Sequence, residues 1–157
     1  MKKMTLRTVP ALLLVAFSGA ASAAAFQLLE QNASGLGTAY AGSAAVADNA
    51  STIFFNPAGM TQLTGFQLSA GVTGVGPSYQ YRSNAGVESG GDAGSWKAVP
   101  NGYMSWQMTK DLFVGFGVSA PFGLATEYED GWAGQARAIK SEIKTINFNP
   151  SVAYRVN

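Results

Sequence analysis

A period-two pattern of apolar and polar positions runs through four stretches in the second half of the chain. The clearest is residues 145–156, where the even-numbered positions are apolar and the odd-numbered positions are mostly polar or small. Residues 66–73 and 112–119 alternate in the same way, and residues 98–108 do so more weakly. Because successive side chains of a strand point to opposite faces, this pattern predicts four β-strands, each with one apolar face.

The connections between these strands are alternately long and short. Gly76–Lys97 and Pro121–Ala138 are long links that are rich in Gly or carry much of the charge, whereas Met108–Asp111 forms a tight turn. Bacterial outer-membrane barrels alternate short periplasmic turns with long external loops. The spacing therefore predicts antiparallel strands that cross a membrane in alternate directions.

Composition decides between a soluble sheet and a membrane sheet. Charged residues are 12% of the 157 residues, about half of the usual share. A soluble strand normally shows Lys or Glu to water, and these strands show almost none. The sequence thus predicts an all-β, transmembrane antiparallel β-barrel. Aromatic residues near the strand ends are interpreted as interfacial girdles; they are Tyr79, Tyr81, Trp96, Tyr128, Trp132 and Tyr154.

Several kinds of chemistry are excluded by residues that the chain lacks. It has no Cys and no His, and so it has no Ser-His-Asp triad, thiol nucleophile, Cys/His zinc site or disulfide. A net charge of +1 offers no basic surface to nucleic acid. Glu127, Glu129 and Asp130 are interpreted as a solvated loop rather than as a metal site or an acid/base pair. We predict no enzyme, no catalytic residue, no metal and no cofactor.

The first 23 residues have the pattern of a secretory signal peptide. Lys2, Lys3 and Arg7 precede an apolar run at residues 11–17, and Ala21-Ser22-Ala23 is a cleavage site of the small-x-small type. The run is too short to span a bilayer as a helix. The sequence predicts export to the cell outer membrane, with a mature chain that starts at Ala24.

Four strands do not close a barrel, since the smallest membrane barrels have eight. Open sheet edges are not tolerated in lipid, so the chain either oligomerises or forms the N-terminal part of a longer protein. The run Tyr154-Arg155-Val156-Asn157 resembles a strand that continues into a turn, which favours the longer protein.

Five ordered motifs resemble the FadL-type outer-membrane transporters of long-chain fatty acids and other hydrophobic compounds. The resemblance covers essentially the whole mature chain. The motifs are Ala25-Phe26-Gln27-Leu28, residues 34–42, Asn56-Pro57-Ala58, residues 123–128 and residues 149–155.

The resemblance implies a fourteen-stranded barrel that is monomeric at full length and carries hydrophobic small molecules by passive diffusion to the outer-membrane lipid. Residues 24–64 would be an N-terminal hatch that plugs the lumen, and residues 65–157 would form the first four strands. Three sets of site residues are implied: Ala24, Ala25 and Phe26 beside a ligand pocket, Asn56, Pro57 and Ala58 as a hatch motif, and Pro121, Phe122 and Gly123 at a strand kink that opens the wall laterally.

Each site has an alternative interpretation. Pro121 lacks an N–H and so interrupts a ladder, but it also ends strands at ordinary loops. Phe26 either touches ligand or anchors the hatch, and the Asn56 motif is interpreted as structural rather than ligand-contacting. Within the resemblance, the stretch from Gly117 to Gly123 looks about two residues shorter than in the fatty acid transporters, and in this respect it is similar to members that admit aromatic hydrocarbons. A structural or adhesive exported β-protein is a further alternative.

Overall fold

The structure is a computed structural model that describes residues 27–82, 84, 86 and 90–156. The predicted signal peptide and the predicted ligand residues Ala24, Ala25 and Phe26 lie outside the described residues. No helix in these described ranges is both long and apolar enough to cross a membrane.

The described chain forms one large antiparallel sheet and one small ribbon. The sheet has the spatial order β1-β2-β3-β6, and β4 pairs with β5 in the ribbon. The strands are β1 (Phe66–Val75), β2 (Lys97–Gln107), β3 (Leu112–Ser119), β4 (Ala125–Glu127), β5 (Lys140–Glu142) and β6 (Asn147–Tyr154).

The four predicted strands are present in the predicted order, and β3 has the predicted bounds. The sequence predicts Pro121–Ala138 as a long link, and the structure adds the short strand β4 within it. Each ribbon strand is only three residues long and carries charged side chains such as Glu127 and Lys140. Such short charged segments have no apolar alternation by which a strand is predicted.

The face of the sheet that carries the even-numbered residues, called here the outer face, is a continuous apolar surface. Cross-strand register places Leu68 opposite Met104, Met104 opposite Phe116, and Phe116 opposite Pro150. Leu68 is 72% exposed in the isolated sheet. Because soluble proteins rarely expose so much contiguous apolar surface, this face is suited to lipid.

The opposite face, called here the inner face, is covered by the N-terminal segment, residues 27–64. This segment contains a 3-10 helix (Leu36–Thr38), the short helix α1 (Thr52–Phe55) and a second 3-10 helix (Pro57–Gln62). Its apolar side chains pack on β2, β3 and β6. The core that they form consists of Ala50, Ile53, Met60, Tyr103, Phe113 and Ala153.

Two glycines of β3 allow this close packing. A Cβ atom at Gly115 would lie 2.5 Å from the sulfur of Met60 and 2.7 Å from Cδ1 of Ile53, and one at Gly117 would lie 2.9 Å from Tyr103. Ile53 and Met60 are fully buried, and each such side chain contributes roughly 1.5–3 kcal/mol through burial. The N-terminal segment is therefore seated on the sheet by a compact apolar core.

Candidate functional site

The hydrogen-bonded ladder between β2 and β3 ends well before the strands do. The last pair is Gly102 opposite Val118, although β2 stays paired with β1 as far as Lys97. In the described part of the chain, no backbone hydrogen bond joins residues 97–101 to residues 120–124. Contact resumes where the N–H of Glu127 donates to the carbonyl of Ala93 at 3.0 Å. We call this gap between residues 97–101 and residues 119–125 the seam.

A β-bulge bends the strand that borders the seam. Ser119 pairs with Asn147, and Ala125 pairs with Glu142. From one pair to the other, the chain moves six positions from Ser119 to Ala125 but only five from Glu142 to Asn147. The β3–β4 side therefore has one extra residue. Two residues against one is the definition of a bulge, which bends a strand and interrupts its ladder. Because Phe122 is already bonded to residue 145, the extra residue lies at residues 120–121.

The N-terminal segment closes the seam from the inner face. The N–H of Leu28 donates to the carbonyl of Pro121 at 2.8 Å. The side-chain amide of Gln31 donates to the carbonyls of Ala120 at 3.3 Å and Leu28 at 3.0 Å. The hydroxyl of Tyr103 donates to the carbonyl of Gln31 at 2.7 Å. The carbonyls freed by the bulge are thus satisfied by the N-terminal segment rather than by β2.

The walls of the seam are mostly apolar. A Cβ atom placed on Gly123 would lie 3.8 Å from the side chain of Leu28, which is an ordinary contact. The residues that line the seam are Leu28, Val75, Pro77, Lys97, Val99, Gly123, Leu124 and Ala125. A neighbouring apolar cleft of about 210 Å³ opens above the bulge, and it is lined by residues 122–126, Ser141 and Ile143.

Four polar atoms at or near the base of the seam are buried and lack hydrogen-bond partners. They are Gln31 Oε1, Thr73 Oγ1, Asn101 Nδ2 and Ser119 Oγ. The amide of Gln31 has a fixed orientation, because its Nε2 already donates to two carbonyls. The base of the seam is therefore polar, in contrast to its apolar walls.

The Asn56 motif lies in the N-terminal segment and not at the seam. The Asn56 side-chain oxygen accepts from the N–H of Ala58 at 3.2 Å, and its amide donates to the carbonyl of Ala44 at 2.7 Å. Pro57 starts the second 3-10 helix, where a missing N–H costs nothing. The motif therefore caps this helix and ties it to the preceding loop.

Arg155 ties the N-terminal segment to the other end of the sheet. Its guanidinium donates to the carbonyl of Thr61 and, at 3.5 Å, to the carbonyl of Lys110. It also stacks 5.4 Å from the ring centre of Phe113. Its side chain points to the inner face, as the alternation predicts for an odd-numbered residue of this strand.

The loops contain local charge pairs. The carboxylate of Asp92 accepts from the hydroxyl of Ser78 at 2.6 Å and from the N–H groups of Gly94 and Tyr79, each at 2.9 Å, which lowers the pKa of Asp92 to about 2. Glu127 accepts a hydrogen bond from Lys140 at 3.0 Å, and this bond raises the pKa of that lysine. Within the described ranges, no group of three or more acidic side chains is placed to hold a metal ion.

The predicted aromatic girdle is divided between two environments. Trp96 is 79% exposed and covers the bare backbone of Gly74 and Gly76 on the outer face. Tyr128 instead stacks on Trp132 at 4.0 Å between ring centres, within the loops.

The predicted site residues fall into separate places. Pro121, Phe122 and Gly123 lie together at the bulge, next to Leu28 of the N-terminal segment, whereas Asn56, Pro57 and Ala58 form a helix cap elsewhere. Sequence reasoning missed Gln31, which has no motif around it. It also missed Thr145, which bonds to the backbone of Phe122 and looks like any other polar position of the alternating stretch 145–156.

An antiparallel sheet with an apolar outer face, an inner face covered by the N-terminal segment and a bulged strand is typical of outer-membrane β-barrel proteins. The chain belongs to the family described as Outer membrane protein transport protein (OMPP1/FadL/TodX), whose family model matches residues 14–157. Members of this family are outer-membrane transporters and not enzymes.

Individual relatives agree with this membership. The chain is 41% identical over 145 residues to the 47 kDa outer membrane protein of Pasteurella multocida, covering 92% of this chain and 34% of that protein. It is 34% identical over 164 residues to the long-chain fatty acid transport protein of Escherichia coli K12, covering 100% and 36%. The crystal structure of a Pseudomonas aeruginosa FadL homologue is similar in fold, with a TM-score of 0.67 at 24% identity, over 84% of this chain and 34% of that chain. The chain spans about a third of the length of these relatives.

Proposed function

We propose that the whole protein is a passive outer-membrane channel for hydrophobic small molecules, with lateral release of the substrate into lipid through the seam. The observation that carries the proposal is the interrupted ladder between β2 and β3 at the bulge. Membrane barrels otherwise need a closed ladder, because unpaired backbone groups are costly in lipid. The interruption of the hydrogen-bond ladder beside Pro121 is therefore more easily explained by a function than by a requirement of the fold.

The seam has the polarity that lateral release requires. Its walls include Leu28, Val75, Val99 and Leu124, so an apolar molecule would lose little contact on passing from the inner face to the outer face. Burial of apolar surface contributes roughly 25 cal/mol per Å². The proposed ligand pocket and the lipid both bury the apolar surface of the substrate. An apolar substrate therefore needs no energy input to pass from the pocket through the seam into lipid.

The N-terminal segment is proposed as the hatch that blocks the lumen, within a division into signal peptide (1–23), hatch (24–64) and the first four strands (65–157). Its apolar core and its hydrogen bonds at Pro121 support this role. Ala24, Ala25 and Phe26 directly precede the segment that seals the seam, and we propose that they border the ligand pocket. Asn56, Pro57 and Ala58 are proposed as a structural hatch motif.

Long-chain fatty acids are the proposed substrate. The relative in Escherichia coli is named a long-chain fatty acid transport protein, and the identity of 34% supports the class of substrate. Aromatic hydrocarbons are the second candidate, because the stretch from Gly117 to Gly123 is short. We propose that the full-length protein acts as a monomer in contact with outer-membrane lipid.

Uptake of labelled oleate and toluene by cells that express the full-length protein tests the proposal against a deletion strain. Gly123→Phe places a bulky ring at the seam, beside Leu28, and we expect it to lower uptake towards the level of the deletion strain. Gly102→Phe is the matched control, because no atom lies within 4 Å of a Cβ at that position. Equal uptake by Gly123→Phe and Gly102→Phe would contradict lateral release, and no uptake of either compound above the deletion strain would contradict transport.

A further inference from the structure

Thr145 makes an unusual set of contacts with the residue that follows the bulge. Its N–H donates to the carbonyl of Phe122 at 3.0 Å, as in an ordinary ladder. Its hydroxyl donates to the same carbonyl at 2.9 Å and accepts from the N–H of Phe122 at 3.0 Å. In a regular antiparallel pair, that N–H would donate to the backbone carbonyl of the opposite residue. Here a side-chain oxygen takes the place of the backbone oxygen.

This substitution is necessary because the bulge displaces one strand relative to the other. The extra residue at residues 120–121 shifts the register by one, and Pro121 contributes no N–H to hold the strands together. The carbonyls of Ala120 and Pro121 bond to the N-terminal segment. Among the described residues, the hydrogen bonds to the backbone of Phe122 all come from Thr145.

We propose that Thr145 is a positioning residue, whose hydroxyl fixes the bulge and so sets the width of the seam. The inference rests on the proposed function, in that the bulge borders a release route. The Thr145 hydroxyl donates to the carbonyl of Phe122 and accepts from its N–H. It therefore bridges the two strands as an ordered water molecule would. Ser has the same hydroxyl, whereas Val has the same shape as Thr without it.

The test compares Thr145→Val with Thr145→Ser in the full-length protein, reconstituted in lipid. Amide hydrogen exchange is measured for a peptide that contains Phe122, with a peptide from β3 as the internal reference. Loss of the acceptor should speed exchange of the Phe122 amide about tenfold in Thr145→Val. Thr145→Ser should stay close to the parent protein, and exchange within β3 should not change in either variant.

Uptake of labelled oleate and toluene by the same variants is the second readout. We expect Thr145→Val to change the uptake rate at least threefold and Thr145→Ser to leave it near that of the parent. Unchanged exchange at Phe122 in Thr145→Val would overturn the positioning role, whatever the uptake result. Faster exchange with unaltered uptake would overturn the link between the bulge and the seam. Absence of uptake in the parent would instead count against the proposed function, while the exchange data would still decide the role of Thr145.

Discussion

The Asn56 side chain makes two hydrogen bonds, one that caps the second 3-10 helix and one to the preceding loop. Two substitutions allow the contribution of each bond to be measured separately. Asn56→Ala removes both the acceptor for the N–H of Ala58 and the donor to the carbonyl of Ala44. Asn56→Asp keeps the acceptor, adds a negative charge at the start of a helix, where it is favourable, and removes only the donor. The two variants therefore report on the cap and on the loop tie independently.

The expected loss of stability in Asn56→Ala follows from the solvent exposure of the two hydrogen bonds. Loss of an Asn cap costs about 0.5–2 kcal/mol, and a value in the lower half of that range, about 1 kcal/mol, applies here because both bonds are exposed to solvent. About 1 kcal/mol corresponds to a roughly fivefold increase in opening of the second 3-10 helix, Pro57–Gln62. We expect a change of less than about twofold for Asn56→Asp, since water replaces an exposed donor at little net cost.

Hydrogen exchange of a peptide covering residues 57–62 measures this opening, with residues 66–75 of β1 as the internal reference. The result that refutes the reasoning is an Asn56→Asp variant that opens as readily as Asn56→Ala, because the cap would then contribute nothing. Unchanged exchange together with weaker binding of oleate by Asn56→Ala would refute the structural role of the motif and favour ligand contact.

Three further predictions concern other contacts. Arg155→Met loses the hydrogen bond to Thr61, and we expect about 2 kcal/mol of local destabilisation of the second 3-10 helix, seen as faster exchange of residues 58–63, with Arg155→Lys intermediate; equal exchange in all three proteins would contradict the tie. Thr73→Val removes a buried hydroxyl that has no partner, so the melting temperature should rise or stay unchanged, and a fall would show that the hydroxyl is bonded. The lowered pKa of Asp92 stabilises its loop fully above about pH 4, and this contribution is lost as the pH falls through about 2; the NMR shift of the Gly94 amide should follow this titration and should not titrate in Asp92→Asn.

The sheet was predictable from the sequence because one physical requirement governs every strand. A wall between lipid and a packed inner face needs alternating side chains, so Phe66, Leu68 and Val72 reveal both the strand and its orientation. The four alternating segments pair in their order along the chain, β1-β2-β3-β6, although only β2 and β3 are joined by a tight turn. The helix Thr52–Phe55 was not predictable in this way, because four residues are fewer than the periodicity of a helix needs.

The candidate site was only half predictable for a related reason. Pro121 predicts a break in the hydrogen-bond ladder, because a proline has no backbone N–H. The bulge itself depends on the number of residues between two pairs, Ser119–Asn147 and Ala125–Glu142. No single segment contains that information. Thr145 was missed because its role arises only when the register shift brings its hydroxyl opposite a displaced N–H.

The N-terminal segment is held more strongly at its Arg155 end than at the seam. This difference predicts which end of the segment separates from the sheet first. Near Arg155, the segment is held by the charge-assisted hydrogen bond from Arg155 to Thr61 and by the buried side chains of Ile53 and Met60. At the seam, the segment is held by the hydrogen bonds of Leu28 to Pro121, of Gln31 to Ala120 and of Tyr103 to Gln31, each worth about 0.5–1.5 kcal/mol net. Opening at the seam breaks three neutral hydrogen bonds, which water can replace, whereas opening at Arg155 would expose the apolar core. The segment should therefore detach first at Leu28 and Gln31, next to the bulge, while its other end stays seated.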